Sequence, residues 1–272
     1  MGALFVLNTI YRHHNGRFAT GLMTGLCLLI ASTAVHASDS SLASCLRNRS
    51  SDAAHVAKVT DGDTLVLTNG QRVRIIGINT LELNARSQAS RASARTATDT
   101  LRSLVGNREI TLIAGPERHD RHGRRLAHVL NGDSVSVGAE LIRRGHATAV
   151  AVAQNTLCAD HHFTLESEAR TKSLGIWETP SEWFIDGDTL GRDSRGFKVM
   201  KTSITSINSH GNQSTVRFSN GISATLGKHW SVAPPGNELV GKRVEIRGWV
   251  GGERARPKLT LHHPLNMRIL SD

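Results

Sequence analysis

From His55 the chain alternates apolar and polar positions with a period near two. HVAKVT (55–60), DTLVLT (63–68) and QRVRIIGI (71–78) run at strand length, and Asn69-Gly70 between the last two is a strong hairpin-turn dipeptide. The period then changes. In SQASRASARTATDTLRSLVG (87–106), Ala97, Leu101 and Leu104 recur at helical spacing and Gly106 ends the run. REITLIA (108–114) and RLAHVLN (125–131) are two more strands, joined by the basic loop GPERHDRHGR. SVGAELIRRG and DHHFTLESEARTKSLG read as helices stopped by Gly145 and Gly175. Five short strands with a few helices outline an OB-type barrel, a fold that often handles nucleic acid.

After Trp177 the composition shifts. ETPSEWFIDGDTLGRDSRG (178–196) is rich in Gly, Ser, Pro and Asp and reads as a connector. FKVMKTSITSI, STVRFSN, ISATLG, KRVEIRGWV and PKLTLHH follow as short strands separated by turn residues. The fold class expected is therefore mainly β with helices (α+β): a five-stranded OB-type barrel, then a second small all-β, OB-like domain. The boundaries expected are a leader over 1–37, a polar arm over 38–54, the first barrel over 55–180, a linker over 181–195 and the second domain over 196–272.

The leader carries its own pattern. Arg12 and Arg17 precede the apolar run FATGLMTGLCLLIASTAVHA, which ends in small residues, and no acid occurs before Asp39. This is the grammar of a secretory signal cut after Ala37. An uncleaved membrane anchor is the alternative, since the run approaches the spanning minimum of ~17 residues. Two arginines and no acid leave with the leader, so the formal charge falls from +10 to +8. Such an excess suits a polyanion, because phosphates reward Lys and Arg through counterion release. A merely basic exported protein is the plainer reading. Cys27 also leaves, and Cys45 and Cys158 remain as an even pair, which in an exported chain reads as one disulfide.

The tetrapeptide DGDT occurs twice, at Asp61–Thr64 and Asp186–Thr189. The first copy is followed by a hairpin and by Arg74, Asn79, Thr80 and Glu82 in the spacing R-x4-N-T-x-E. That spacing lets Asp63 fold back against Asn79 and Thr80, gathering hard oxygen donors of the kind that suit Ca2+. The second copy has no such company and reads as a turn in a linker.

D-G-D-T, then R-x-x-G-I-N-T-x-E, then D-R-H-G-R, then ESEARTKSLGIW resembles the staphylococcal-nuclease-like (thermonuclease) family from His55 to about Trp177. The stretch LVGKRVEIRGWV…RPKLTLHHPLNMRIL is similar to the accessory β domain of some bacterial members. The resemblance implies a Ca2+-dependent phosphodiesterase that cuts DNA and RNA. Carried over by position, Asp63 and Asn79 are metal ligands and Thr80 offers its carbonyl. Glu82 orients or deprotonates the attacking water, and Arg74 and Arg124 clamp the phosphate. Asp61 stands behind the ligands, and Arg121, His122 and Arg125 belong to a basic nucleic-acid-binding loop.

The chain departs from the family in having Asn79 where aspartate is usual and Leu81 where proline is usual. Fewer ligand charges mean weaker Ca2+ binding, so a catalytically weakened nucleic-acid-binding protein of the same fold is the rival reading. The family's base-stacking tyrosines are also missing: the one tyrosine, Tyr11, lies in the leader, and His122 stands where an aromatic is common. Phosphate-led binding with little base preference is expected. Trp177, Trp183, Trp230 and Trp249 read as core or domain-contact residues, and the His161-His162 and His262-His263 pairs as surface or packing residues. The mature protein is expected to be a monomer without stable membrane insertion, in the periplasm or outside the cell.

Overall fold

The computed structural model describes residues 45–152, 154–180, 183–187, 190, 195–210, 213–226, 236–253 and 256–270. The leader, Trp230 and the last two residues of the second DGDT copy lie outside the described residues.

Strands β1 (Ser51–Asp61), β2 (Thr64–Leu67), β3 (Arg72–Ile75), β5 (Glu109–His119) and β6 (Arg125–Leu130) close a barrel in the order β1-β2-β3-β6-β5. A two-stranded patch of β4 (Ile78–Asn79) and β7 (Thr148–Ala149) lies beside it. Alternation explains the closure: Leu65, Val73, Ile75, Ile110, Leu112, Ala127 and Val129 all point inward and are buried. At the hairpin, Gly70 takes φ 82° and its N–H donates to the Leu67 carbonyl at 2.9 Å.

Helix α1 (Gln88–Val105) is capped by the Ser87 hydroxyl, which accepts from Ser90 N–H at 3.0 Å, and it ends at Gly106 as expected. Its buried stripe is Ala94, Ala97, Leu101 and Val105. Helices α2 (Val137–Arg143) and α3 (Ala159–Thr171) follow. The third helix stops earlier than its glycine suggests. Ser173 adopts φ 50° and Leu174 N–H bonds to the Ala169 carbonyl at 2.9 Å, which closes the helix before Gly175. Gly175 serves a different need: a Cβ there would come within 2.2 Å of the Gly145 carbonyl oxygen, so the two glycines pack backbone against backbone.

Two boundaries differ from the sequence reading. Ser51–His55 of β1 pair with β5, so the end of the polar arm is barrel strand. Within the expected linker, β8 (Phe184–Asp186) pairs in parallel with β9 (Gly196–His210). Both segments are polar or short, and only their partners make them strands.

The second β unit continues with β10 (Gln213–Phe218), β11 (Ser223–Leu226), β12 (Arg243–Glu253), β13 (Arg256–Leu261) and β14 (Met267–Ile269). Pairing of β12 with β9 closes the ring β9-β10-β11-β13-β12. The first barrel has one parallel pair, β3 with β6, and the second ring has one, β11 with β13. Counted from its own first strand, each ring therefore has the order 1-2-3-5-4 with the parallel pair between its third and fifth strands. The OB-like expectation for the second domain agrees with this topology.

A buried ionic network joins the two barrels. Arg247 of β12 donates to Glu166 of α3 at 2.7 Å, to Glu245 at 2.8 Å and to the Ala149 carbonyl of β7 at 2.9 Å. Arg170 of α3 reaches Glu166 and Glu245, each at 2.7 Å. Burial works to raise Glu245, but hydrogen bonding to Arg170 and the charges of Arg247, Arg170 and Arg268 outweigh it and hold the carboxyl at about 2. Cys45 and Cys158 form a disulfide with Cα atoms 5.5 Å apart and a sequence separation of 113, tying the segment before β1 to the start of α3. Among the described residues no helix is long and apolar enough to cross a membrane.

Candidate active site

The first DGDT copy sits at the β1–β2 turn, and its glycine is dictated by packing. A Cβ on Gly62 would lie 2.8 Å from both Ala97 Cβ of α1 and the Thr80 hydroxyl, so only glycine lets the turn press against both. Asp61 shapes the turn by accepting from Asp63 N–H at 3.1 Å. Gly187 of the second copy, by contrast, has open space around it and φ +127°. Asp186 in that copy ends β8 and pairs with Lys201 at 3.1 Å and Arg243 at 2.7 Å.

Asp63 is drawn onto the Asn79-Thr80 segment. Its Oδ2 accepts from the Thr80 N–H and from the Thr80 hydroxyl, each at 3.2 Å, and lies 2.9 Å from Arg74 Nη2. The same Nη2 donates to Asn79 Oδ1 at 3.3 Å, while Arg74 Nη1 donates to the Ile75 carbonyl at 2.7 Å. Asn79 Nδ2 donates to the Thr80 carbonyl at 3.1 Å. The segment is fixed from behind by β7: Asn79 faces Thr148 in register, and the Thr148 hydroxyl donates to the Asn79 carbonyl at 3.1 Å. Asp63, Arg74, Asn79 and Thr80 are all buried.

These residues line one side of a pocket of about 570 Å3, together with Asp61, Glu82, Asp120, Arg121, His122 and Arg124. Burial, then the negative charge of Asp63, raises the Asp61 carboxyl to about 6. Glu82 stands at the solvent-exposed lip of the pocket. Its carboxyl is raised first by partial desolvation and then by Asp63, with Arg74 and Arg124 pulling the other way. Arg124 is aimed by Asp120, which accepts from its Nε at 2.7 Å and from its backbone N–H at 2.9 Å. Its Nη1 reaches the Thr64 hydroxyl at 3.4 Å. Burial opposes ionisation of Asp120, but hydrogen bonds from Arg124 and His122 lower its carboxyl below the usual range.

The structure thus brings Asp61, Asp63, Arg74, Asn79, Thr80, Glu82, Arg121, His122 and Arg124 to one pocket. Arg125 does not line it: its guanidinium pairs with Asp52 and contacts Gln71 at 3.5 Å. Arg124 lies in the loop before β6 and lines the pocket, whereas Arg125 opens the strand and is held on Asp52 and Gln71.

Residues 72–179 match the family model of staphylococcal nuclease homologues. The first barrel is similar to the staphylococcal nuclease homologues over that span. The match begins at β3, so Asp61 and Asp63 lie before it, and the folded geometry joins them to the matched residues. A nuclease-type hydrolase function with nucleic acid as the substrate class fits this match. A comparison with curated proteins gives no match.

Several contributors to the nuclease-homologue site carry no distinct signal in the sequence. Asp120 is the first residue of D-R-H-G-R, but only the structure shows it to be the residue that aims Arg124. Asn155 pins the strand leading to that loop, exchanging hydrogen bonds with the Glu117 backbone at 3.0 and 2.9 Å. Trp249, Thr260 and His262 of the second barrel also line the pocket. Trp177 and Trp183 are core residues as expected, whereas Trp249 is exposed.

Proposed function

We propose that the protein is an exported, Ca2+-dependent phosphodiesterase that hydrolyses DNA and RNA. The observation that carries this reading is the convergence of Asp63, Asn79 and Thr80 with Arg74, Glu82 and Arg124 on one pocket of a nuclease-homologue barrel. The donor atoms available there are carboxylate, amide and carbonyl oxygens, which is the chemistry that hard divalent cations select. Asp63 and Asn79 through their side chains and Thr80 through its carbonyl would hold the ion. When bound, Ca2+ supplies positive charge to a phosphate oxygen and lowers the barrier to attack at phosphorus.

The remaining work falls to the chain's own groups. A phosphodiester is anionic, so its charge must be offset before water can attack. Arg124 does this with its Nη groups, of which Nη1 is held only by a 3.4 Å contact to the Thr64 hydroxyl, while Asp120 occupies its Nε. Arg74, beside the ligand carboxylate, adds positive charge toward the same phosphate. Glu82 accepts a proton from the attacking water. Its raised carboxyl brings the base closer to working pH, which strengthens it for that task. The bond from phosphorus to the leaving oxygen then breaks, and that oxygen takes a proton from solvent.

One observation favours the rival, a weakened nucleic-acid binder. Arg74 already neutralises Asp63 at 2.9 Å, and Asn79 adds no charge to attract a cation in its place. Incubating the leaderless protein with plasmid and with RNA, in Ca2+ or in chelator, separates the two. Cleavage in Ca2+ that stops with chelator supports the proposal. Retention of nucleic acid on a gel with no cleavage at any Ca2+ concentration supports the rival. Export is supported by the signal-like leader and the Cys45–Cys158 disulfide.

A further inference from the structure

The second barrel supplies part of the pocket wall. Trp249, Thr260 and His262 stand on it, and Trp249 is the one Phe, Tyr or Trp that lines the pocket among the described residues. Trp249 is 42% exposed, although tryptophan is normally among the more buried residues. Four other large hydrophobic residues are exposed among the described residues (Leu83, Leu174, Val240 and Ile269), and none of them is aromatic or lines the pocket.

Trp249 is also held in place. It faces Phe197 across β9 and β12, and the two rings meet edge to face with centroids 5.1 Å apart at 70°. Phe197 in turn packs against the cluster of Trp177, Trp183 and Val199, where Leu81 of the ligand loop also packs. β12 is further anchored by Arg247, two residues before Trp249, whose side chain is bonded to Glu166 and the Ala149 carbonyl. A fixed, half-exposed indole beside a pocket rich in guanidinium groups is the combination that binds a nucleic-acid strand. The cations take the phosphates and the ring takes a base by stacking.

We propose that Trp249 is a nucleobase-stacking platform, supplied by the second barrel to the strand whose phosphate enters the nuclease-homologue pocket. This rests on the nuclease reading for the identity of the strand, and it gives the second barrel a direct part in substrate binding. It also assigns a base contact to a site whose own barrel provides no tyrosine or tryptophan at the pocket. Bases stack on a ring when they are unpaired, so single strands are favoured over duplexes.

The test is binding, measured by anisotropy of labelled oligonucleotides in chelator so that cleavage does not intrude. Three ligands are used: a single-stranded oligonucleotide, its duplex, and an abasic strand of the same length and charge. Trp249→Ala should weaken binding of the single strand by about tenfold or more. It should leave the abasic strand unchanged, and Trp249→Phe should restore most of the loss. Unchanged affinity for the single strand in Trp249→Ala would overturn the proposal. An equal loss for the abasic strand would overturn it too, because the ring would then be shaping the wall rather than stacking. Failure of the wild-type protein to cleave in Ca2+ would count against the nuclease reading alone, since this assay does not use turnover.

Discussion

Asn79 is the residue on which the strength of the site turns. Its amide bridges Arg74 and the Thr80 carbonyl, so it organises the loop while bringing no charge to it. Replacing it by aspartate keeps the oxygen and adds a second ligand carboxylate. Asn79→Asp should therefore lower the Ca2+ concentration for half-maximal cleavage, read from a Ca2+ titration of the rate. An unchanged or higher requirement would show that the amide is matched to something other than Ca2+. A second residue-scale consequence concerns acid. Burial pushes His128, in β6, down to about 4 from its usual 6.5. The unfolded chain thus binds a proton that the folded chain refuses between those values, and stability falls as pH drops from 6.5 towards 4. The contribution is up to about 3 kcal/mol at ~1.4 kcal/mol per pKa unit. Urea midpoints at pH 7 and pH 4.5 should differ less in His128→Gln than in the wild type.

At the scale of elements, the two DGDT copies separate by what surrounds them. Gly62→Ala forces a methyl group against Ala97 and Thr80, and overpacking of this kind costs about 1–3 kcal/mol. Because Thr80 is the group displaced, cleavage should fall along with the melting temperature. Asp186→Ala removes only exposed ion pairs with Lys201 and Arg243, each worth at most about 1 kcal/mol, and should leave cleavage as it was. The contrast also shows what could be read along the chain. The first barrel was legible because its signals are local: alternation, Asn69-Gly70, and glycines at Gly106 and Gly145. The ligand loop was legible because its residues are close in sequence. β8 was not, because a three-residue strand in a Gly- and Asp-rich stretch exists only through β9. Nor was the exposure of Trp249, since the sequence does not say which barrel face meets the pocket.

Across the whole molecule, the second barrel supports the site mechanically through Arg247. The guanidinium bonds to the Ala149 carbonyl on β7, and β7 pairs with the strand that carries Asn79. Asn266 adds a second tie, exchanging hydrogen bonds with the Ala151 backbone at 3.1 and 2.6 Å. Removing Arg247 leaves Glu166 and Glu245 buried near each other, bridged by Arg170, with only the more exposed Arg268 adding a contact to Glu245 at 3.3 Å. Breaking a buried pair from one side costs about 3–5 kcal/mol. Arg247→Ala should lower the melting temperature of both barrels together and weaken cleavage, as followed by calorimetry and by rate. None of this network is legible from the sequence, because a charged residue destined for burial looks the same there as one left in solvent.

The central claim is that the pocket around Asp63 hydrolyses phosphodiesters with Glu82 and Arg124 acting on water and phosphate. Its most direct test is the Ca2+-dependent cleavage rate of a labelled oligonucleotide by the wild type, Glu82→Ala and Arg124→Ala, with melting curves confirming that all three are folded. The account predicts wild-type cleavage that chelator abolishes and a loss of about a hundredfold or more in each variant. Folded variants that cleave at the wild-type rate would contradict it.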